Sequence, residues 1–173
     1  MFERLRRWLN GQVATDEMDP TRAMQLYERG VRSFTREDWR SAEREFTAAI
    51  HMSPPIAGMY HHRGSVFAEQ GKYLEAIADY DIAIRLQPDY PDIYLDRGNS
   101  YYALERHEHA LKDYSEAIRL SPGYAEAFAN RAAVYAALGD DKASNEDAME
   151  AEARGINFEA LQGLLEDARK TQD

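Results

Sequence analysis

AGMYHHRGSVFAEQGKYLEAIADYDIAIRLQPDY, residues 57–90, falls on a recognisable copy of itself when shifted by 34 residues in either direction. Gly64 lands on Gly30 and Gly98, Ala76 on Ala42 and Ala110, and Tyr80 on Phe46 and Tyr114. Ala83 lands on Ala49 and Ala117, and Pro88 on Pro54 and Pro122. A period of this length marks an array of stacked structural repeats. Three units align without a gap, 23–56, 57–90 and 91–124, and a fourth, 125–158, matches in its first half only.

Each recurring residue has a physical reason for its place. Gly30, Gly64, Gly98 and Ala132 lack bulk where two helices of a unit must come close, and Ala42, Ala76, Ala110 and Ser144 offer the matching small surface. Leu26, Tyr60, Tyr94 and Phe128 precede Ser33, Phe67, Tyr101 and Tyr135 by seven residues, about two helical turns. Three of those pairs can therefore stack on one helix face. Pro54, Pro88 and Pro122 stop the second helix of a unit, because proline lacks the amide donor and clashes with the preceding turn. No single unit buries both of its faces, so stability must come from neighbours.

This period and these residues resemble the tetratricopeptide repeat, a helix-turn-helix unit, over about four fifths of the chain. The resemblance implies an all-α, right-handed superhelical solenoid of four helix-turn-helix repeats, residues 21–156, plus a C-terminal capping helix, 157–170. A basic arm and linker, 1–20, would precede it, and a short tail, 171–173, would follow.

Bulk properties narrow the function. The net charge of −10 argues against nucleic acid, whose binding needs clustered Lys and Arg. With no cysteine, disulfides, thiolate metal sites and cysteine nucleophiles are excluded. No apolar run approaches the ~18 residues of a membrane span and no signal-peptide core appears, so a cytoplasmic location is the default expectation.

In the arm, Phe2, Leu5, Trp8 and Leu9 fall on one side of a short helix, with Arg4, Arg6 and Arg7 on most of the rest. Three readings stand: a helix capping the first repeat, attachment to an anionic membrane surface, and docking into a groove of this or a neighbouring molecule, giving a homo-oligomer through residues 1–10. At the other end, Asp141, Asn145, Ala148, Glu152 and Arg154 stand where earlier units carry mostly large apolar groups. A second helix this polar suits the end of an array. Gly155 is expected to close it, Asn157 to cap a last helix, and Phe158, Leu161, Leu164 and Leu165 to form that helix's buried stripe.

Arg29, Arg63, Arg97 and Arg131 share one repeat position, and Glu45, Asp79, Asp113 and Asp147 share another, sixteen residues later. Antiparallel helices joined by a short turn bring the two positions to similar heights. The spacing predicts a repeated Arg–carboxylate contact that sets helix register, bidentate where partly buried.

Nothing assembles into a catalytic set. The histidines are His51, His61, His62, His107 and His109; none forms His-Glu-x-x-His, and His107-Glu-His109 lacks the i, i+4 spacing of two ligands on one helix face. The glycines are spaced for helix packing rather than for cradling phosphate. No enzyme activity, cofactor or metal site is expected.

The resemblance implies instead that the first helix of each unit lines a concave groove. Carried over by position, that groove comprises Tyr27, Glu28, Val31 and Phe34, then His61, His62, Ser65 and Glu69. The third unit adds Asp92, Leu95, Asp96, Asn99 and Tyr102, and the fourth Glu126, Asn130 and Ala133. Carboxylates are present and Lys and Arg absent, which selects a basic, neutral or amphipathic peptide partner. Family members that grip a C-terminal carboxylate use Asn together with Lys or Arg. Asn99 and Asn130 match the two asparagines, but Leu95, Ala160 and Leu164 stand at the cation positions, so that activity is not expected. The sequence thus reads as a non-enzymatic protein-interaction module or scaffold. Self-assembly or membrane tethering through the arm is the alternative.

Overall fold

The computed structural model describes residues 18–170. The arm residues Phe2, Leu5, Trp8 and Leu9, and the tail 171–173, lie outside the described residues. Every regular element among those described is helical. The helices are α1 (Pro20–Thr35), α2 (Trp39–Met52), α3 (Ala57–Glu69), α4 (Tyr73–Leu86), α5 (Pro91–Ala103), α6 (His107–Leu120), α7 (Ala125–Ala137), α8 (Asp141–Ala153) and α9 (Phe158–Lys170). They form two compact units, one ending at Pro88 and one beginning at Asp89. The all-α repeat expected from the 34-residue period is the fold found.

Local chemistry sets the helix ends. Asp19, Asp38 and Asp140 each accept a backbone N–H at the start of α1, α2 and α8. The turns inside the four pairs share one hydrogen-bond pattern: Asp38, Lys72, Arg106 and Asp140 donate their N–H to the carbonyls of Ser33, Phe67, Tyr101 and Tyr135. This closure needs a left-handed residue just past the helix. Gly71 and Gly139 supply it at φ 72° and 74°, but Glu37 and Glu105 occupy the same place at 58° and 56°. A side chain there costs about 1–2 kcal/mol. Glu105→Gly is therefore expected to stabilise the protein by about 1 kcal/mol, raising Tm by about 2–4 °C in a thermal melt. An unchanged or lower Tm would contradict it.

Inside each of the first three pairs the glycine of the first helix lies nearest to a ring of the second, not to the small residue expected to match it. A Cβ placed on Gly30, Gly64 or Gly98 would lie 2.7, 2.7 or 2.6 Å from ring carbons of Phe46, Tyr80 or Tyr114. Those rings are nearly or fully buried. In the fourth pair both partners change together: Ala132 takes the glycine position and Ala148 the ring position, and both are buried. The extra methyl on one helix is matched by a lost ring on the other.

The arginine positions show a second repeated device. Arg63 donates to both Asp79 oxygens at 2.7 Å, lies between the Tyr60 and Phe67 rings, and is 2% exposed. Arg97 pairs with Asp113 at 2.8 and 2.7 Å, between Tyr94 and Tyr101. Arg131 pairs with Asp147 at 2.6 and 2.8 Å over Phe128. The first unit of the period differs. Leu26 and Ser33 replace the rings, so the Arg29 side chain stays 61% exposed and reaches Glu45 through one contact at 3.0 Å. Ser33 donates to the other Glu45 oxygen at 2.8 Å. Rings shield the guanidinium from water; without them the bidentate geometry is not held.

α8 ends as the four turns do, with Gly155 at φ 102° and Ile156 N–H donating to the Ala151 carbonyl. Asn157 then accepts the Ala160 N–H at 3.0 Å, capping α9. The stripe of α9 is narrower than the sequence suggested. Leu161, Leu165 and Ala168 are buried, but Phe158 is 54% and Leu164 37% exposed. The helix rests on an alanine-lined surface that its i, i+4, i+7 row covers, and the flanking Phe158 and Leu164 fall outside it.

Candidate interaction faces

The first helices of the pairs carry the residues expected to meet a partner. In the first unit these are α1 and α3. Half-buried rings on these helices pack onto the core: Tyr27 and His62 lie 5.4 Å apart, and each is 5.7 Å from the buried Phe46 ring of α2. His61 stacks between His62 and Tyr80 at 5.6 and 5.9 Å. Nδ1 of His62 is 2.8 Å from the Gly58 carbonyl and 3.2 Å from the Tyr27 hydroxyl. Only a protonated Nδ1 can donate to that carbonyl, which sets the tautomer. Ser65 donates to the His61 carbonyl and accepts from Tyr80. Glu28 and Glu69 are exposed, the former 3.6 Å from Arg32. Phe34 is engaged edge-on with Trp39 at the turn, 5.2 Å away, and Val31 packs on the same core. These two belong to packing within the pair more than to an open face.

In the second unit the corresponding helices are α5 and α7. Asn99 is the hub: its amide oxygen accepts from the Tyr114 hydroxyl at 2.8 Å and from Asn130 Nδ2 at 2.9 Å. Burial, with smaller contributions from Tyr102, Asp113 and Asp96, pushes the Tyr114 phenol upward, so it stays a donor. Asn99, Tyr102, Tyr114, Asn130, Ala133 and Leu164 line a hollow of about 280 Å³. At the N-terminal ends of the same two helices, Tyr124 donates to Asp92 at 2.6 Å. Burial, that hydrogen bond, and the negative charges of Asp92, Glu126 and Asp96 all push the Tyr124 phenol upward. Asp92 and Asp96 lie one turn apart on α5, and Glu126, 34 residues after Asp92, lies in the first turn of α7. Leu95, expected on the groove, is 5% exposed and belongs to the core.

Three residues of this face were not anticipated: Tyr114, Tyr124 and Leu164. A signal existed for Tyr114, since Tyr80–Ser65 and Tyr114–Asn99 repeat the same fifteen-residue spacing. A larger depression, about 530 Å³, is lined by α2 alone and is open surface. Among the described residues no group of three His, Asp or Glu side chains is placed to hold a metal ion. Nor is any described helix long and apolar enough to cross a membrane.

The family profile described as TPR repeat matches residues 64–104 and 98–139. Helix pairs recurring every 34 residues, closed by the same turn and packed through the same small residues, agree with it. The chain carries tetratricopeptide repeats. Among solved structures, this TPR-bearing chain is similar to the first TPR of Spaghetti (RPAP3) bound to the HSP90 peptide SRMEEVD. The two share 27% identity over 71% of this chain and 98% of that one, with a TM-score of 0.69. It is similar to the first TPR domain of human RPAP3, with 27% identity over 73% of this chain and 99% of that one, and a TM-score of 0.67. YrrB, described as a TPR protein with an unusual peptide-binding site, shares the fold at 19% identity, covering 88% and 76%, with a TM-score of 0.73. No curated protein matches the sequence. The TPR fold is one typical of protein–protein interaction.

Proposed function

We propose that this TPR-bearing chain is a non-enzymatic interaction module that holds a basic, neutral or amphipathic peptide segment on the first-helix face of its second unit. The observation that carries the reading is the pairing, on α5 and α7, of three carboxylates with an asparagine-floored hollow. Asp92, Asp96 and Glu126 attract positive charge, while Asn99 and Asn130, held by each other and by Tyr114, present amide groups to a peptide backbone. The peptide seen on the RPAP3 neighbour supports peptide binding as the general mode. That peptide is acidic, however, and the buried Leu95 here leaves no cation where a carboxylate grip needs one.

Fluorescence anisotropy on a labelled arginine-rich peptide, beside SRMEEVD, tests this. The basic peptide is expected to bind more tightly, with an affinity that falls as salt rises. Asp96→Asn with Glu126→Gln should weaken it roughly tenfold, and Asn99→Ala several-fold without changing the salt dependence. Equal binding of the acidic peptide would overturn the reading.

The arm supports a second reading, since Arg4, Arg6 and Arg7 make it basic while the described faces carry carboxylates. Residues 1–10 would then join two copies. Light scattering of the full chain beside a form lacking residues 1–19 decides it: only loss of an oligomer on deletion supports assembly.

A further inference from the structure

The last helix does not sit where a further repeat would. Within the second unit, α7 packs on α6, the second helix of the preceding pair, and touches the first helix α5 little. α9 reverses this: it packs on α7 and touches α8 little. Leu161, Leu165 and Ala168 share one buried cluster with Ala129, Ala133 and Ala136 of α7, to which Ala148 and Ala151 of α8 also belong. Ala133 holds the repeat position of Asn99 on α5, so α9 covers part of α7 that belongs to the partner-facing side. Leu164 of α9 accordingly forms one wall of the hollow floored by Asn99 and Asn130.

A second observation concerns how firmly α9 is held. Gly163 lies in the middle of this thirteen-residue helix and is exposed. A Cβ there would meet nothing within 4 Å, and the residue needs no left-handed backbone. Neither packing nor geometry calls for glycine. Its effect is to weaken the helix about fivefold relative to alanine, in a segment too short to be stable by itself.

We propose that the alanine face of α7 is a receptor for an amphipathic helix, that α9 is its resident ligand, and that a partner helix bearing the same Leu-x3-Leu-x2-Ala stripe displaces it. This rests on the interaction-module reading and adjoins its hollow through Ala133 and Leu164, but uses an apolar chemistry. The glycine keeps the resident helix exchangeable, and α9 itself defines the spacing a competitor must match.

The probe is a labelled synthetic peptide of residues 156–170, titrated against the full chain. It is expected to bind saturably. Gly163→Ala in the protein should weaken it about fivefold, because the resident helix then docks more firmly; the same change in the peptide should tighten it about fivefold. Leu161→Asp in the protein releases α9 and should tighten it further. Hydrogen exchange on the unmodified chain is a readout that does not depend on that variant folding. α9 amides should exchange faster than those of α6 and α7, and Gly163→Ala should slow them about fivefold. Failure of the peptide to bind any form, or exchange of α9 only together with α6 and α7, would make α9 a permanent part of the core and overturn the proposal. If that failure came while the arginine-rich peptide still bound, the preceding reading would stand while this one fell.

Discussion

Replacing Asp79 by Ala is expected to cost about 3–5 kcal/mol, because it leaves the Arg63 guanidinium charged, buried and unpaired. Each of the two side chains is 2% exposed, and the bidentate contact is sealed by Tyr60 and Phe67. Arg63 also donates to Thr47 on α2, so its loss of orientation reaches the neighbouring pair in the same unit. The measurement is the urea midpoint of the variant against the wild type. Glu45→Ala is the control: the same repeat position as Asp79, but the arginine it leaves behind, Arg29, has a side chain 61% exposed to solvent. It should cost no more than about 1 kcal/mol. Similar losses at the two positions would show that burial does not decide the strength of this contact. Changing both partners at once, Arg63→Met with Asp79→Leu, should cost less than Asp79→Ala alone, since no buried charge is then orphaned.

Gly98→Ala should cost about 1–3 kcal/mol by overpacking. Its Cβ would stand 2.6 Å from a Tyr114 ring carbon, and that ring is 1% exposed. The displaced ring also carries the hydroxyl that holds Asn99, so the substitution should weaken peptide binding as well as stability. The fourth pair already shows the compensated form, Ala132 opposite Ala148. Gly98→Ala combined with Tyr114→Ala should therefore cost less than the sum of the two changes made separately, a coupling read from a double-mutant cycle of urea melts. Strict additivity would place the two side chains out of contact.

Much of the fold was legible because the period puts equivalent residues in equivalent surroundings. The glycine and ring positions, the prolines and the sixteen-residue Arg–carboxylate spacing all express contacts inside one helix pair, where the turn fixes the geometry. Even the exception was written locally: Leu26 and Ser33 remove the rings that would have shielded Arg29. The candidate faces were less legible. Phe34 and Leu95 sit at positions the repeat assigns to a groove, yet neighbouring bulk draws one against Trp39 and the other into the core.

By itself, then, the sequence determined the all-α repeat, the helix ends and the packing within pairs, since these depend on residues separated by a turn or two and repeated until the pattern is unmistakable. The tertiary structure alone decided which side chains meet across pairs. Tyr124 with Asp92 and Asn130 with Asn99 are separated by 32 and 31 residues, and neither contact lies inside one pair. It also decided that α9 rests on α7 instead of extending the stack. An amphipathic stripe says that a helix will bury one side, but the choice between two available surfaces is set by their shapes. Here Leu161 and Leu165 settle mainly on the alanines of α7, and Ala148 and Ala151 of α8 complete the same buried cluster.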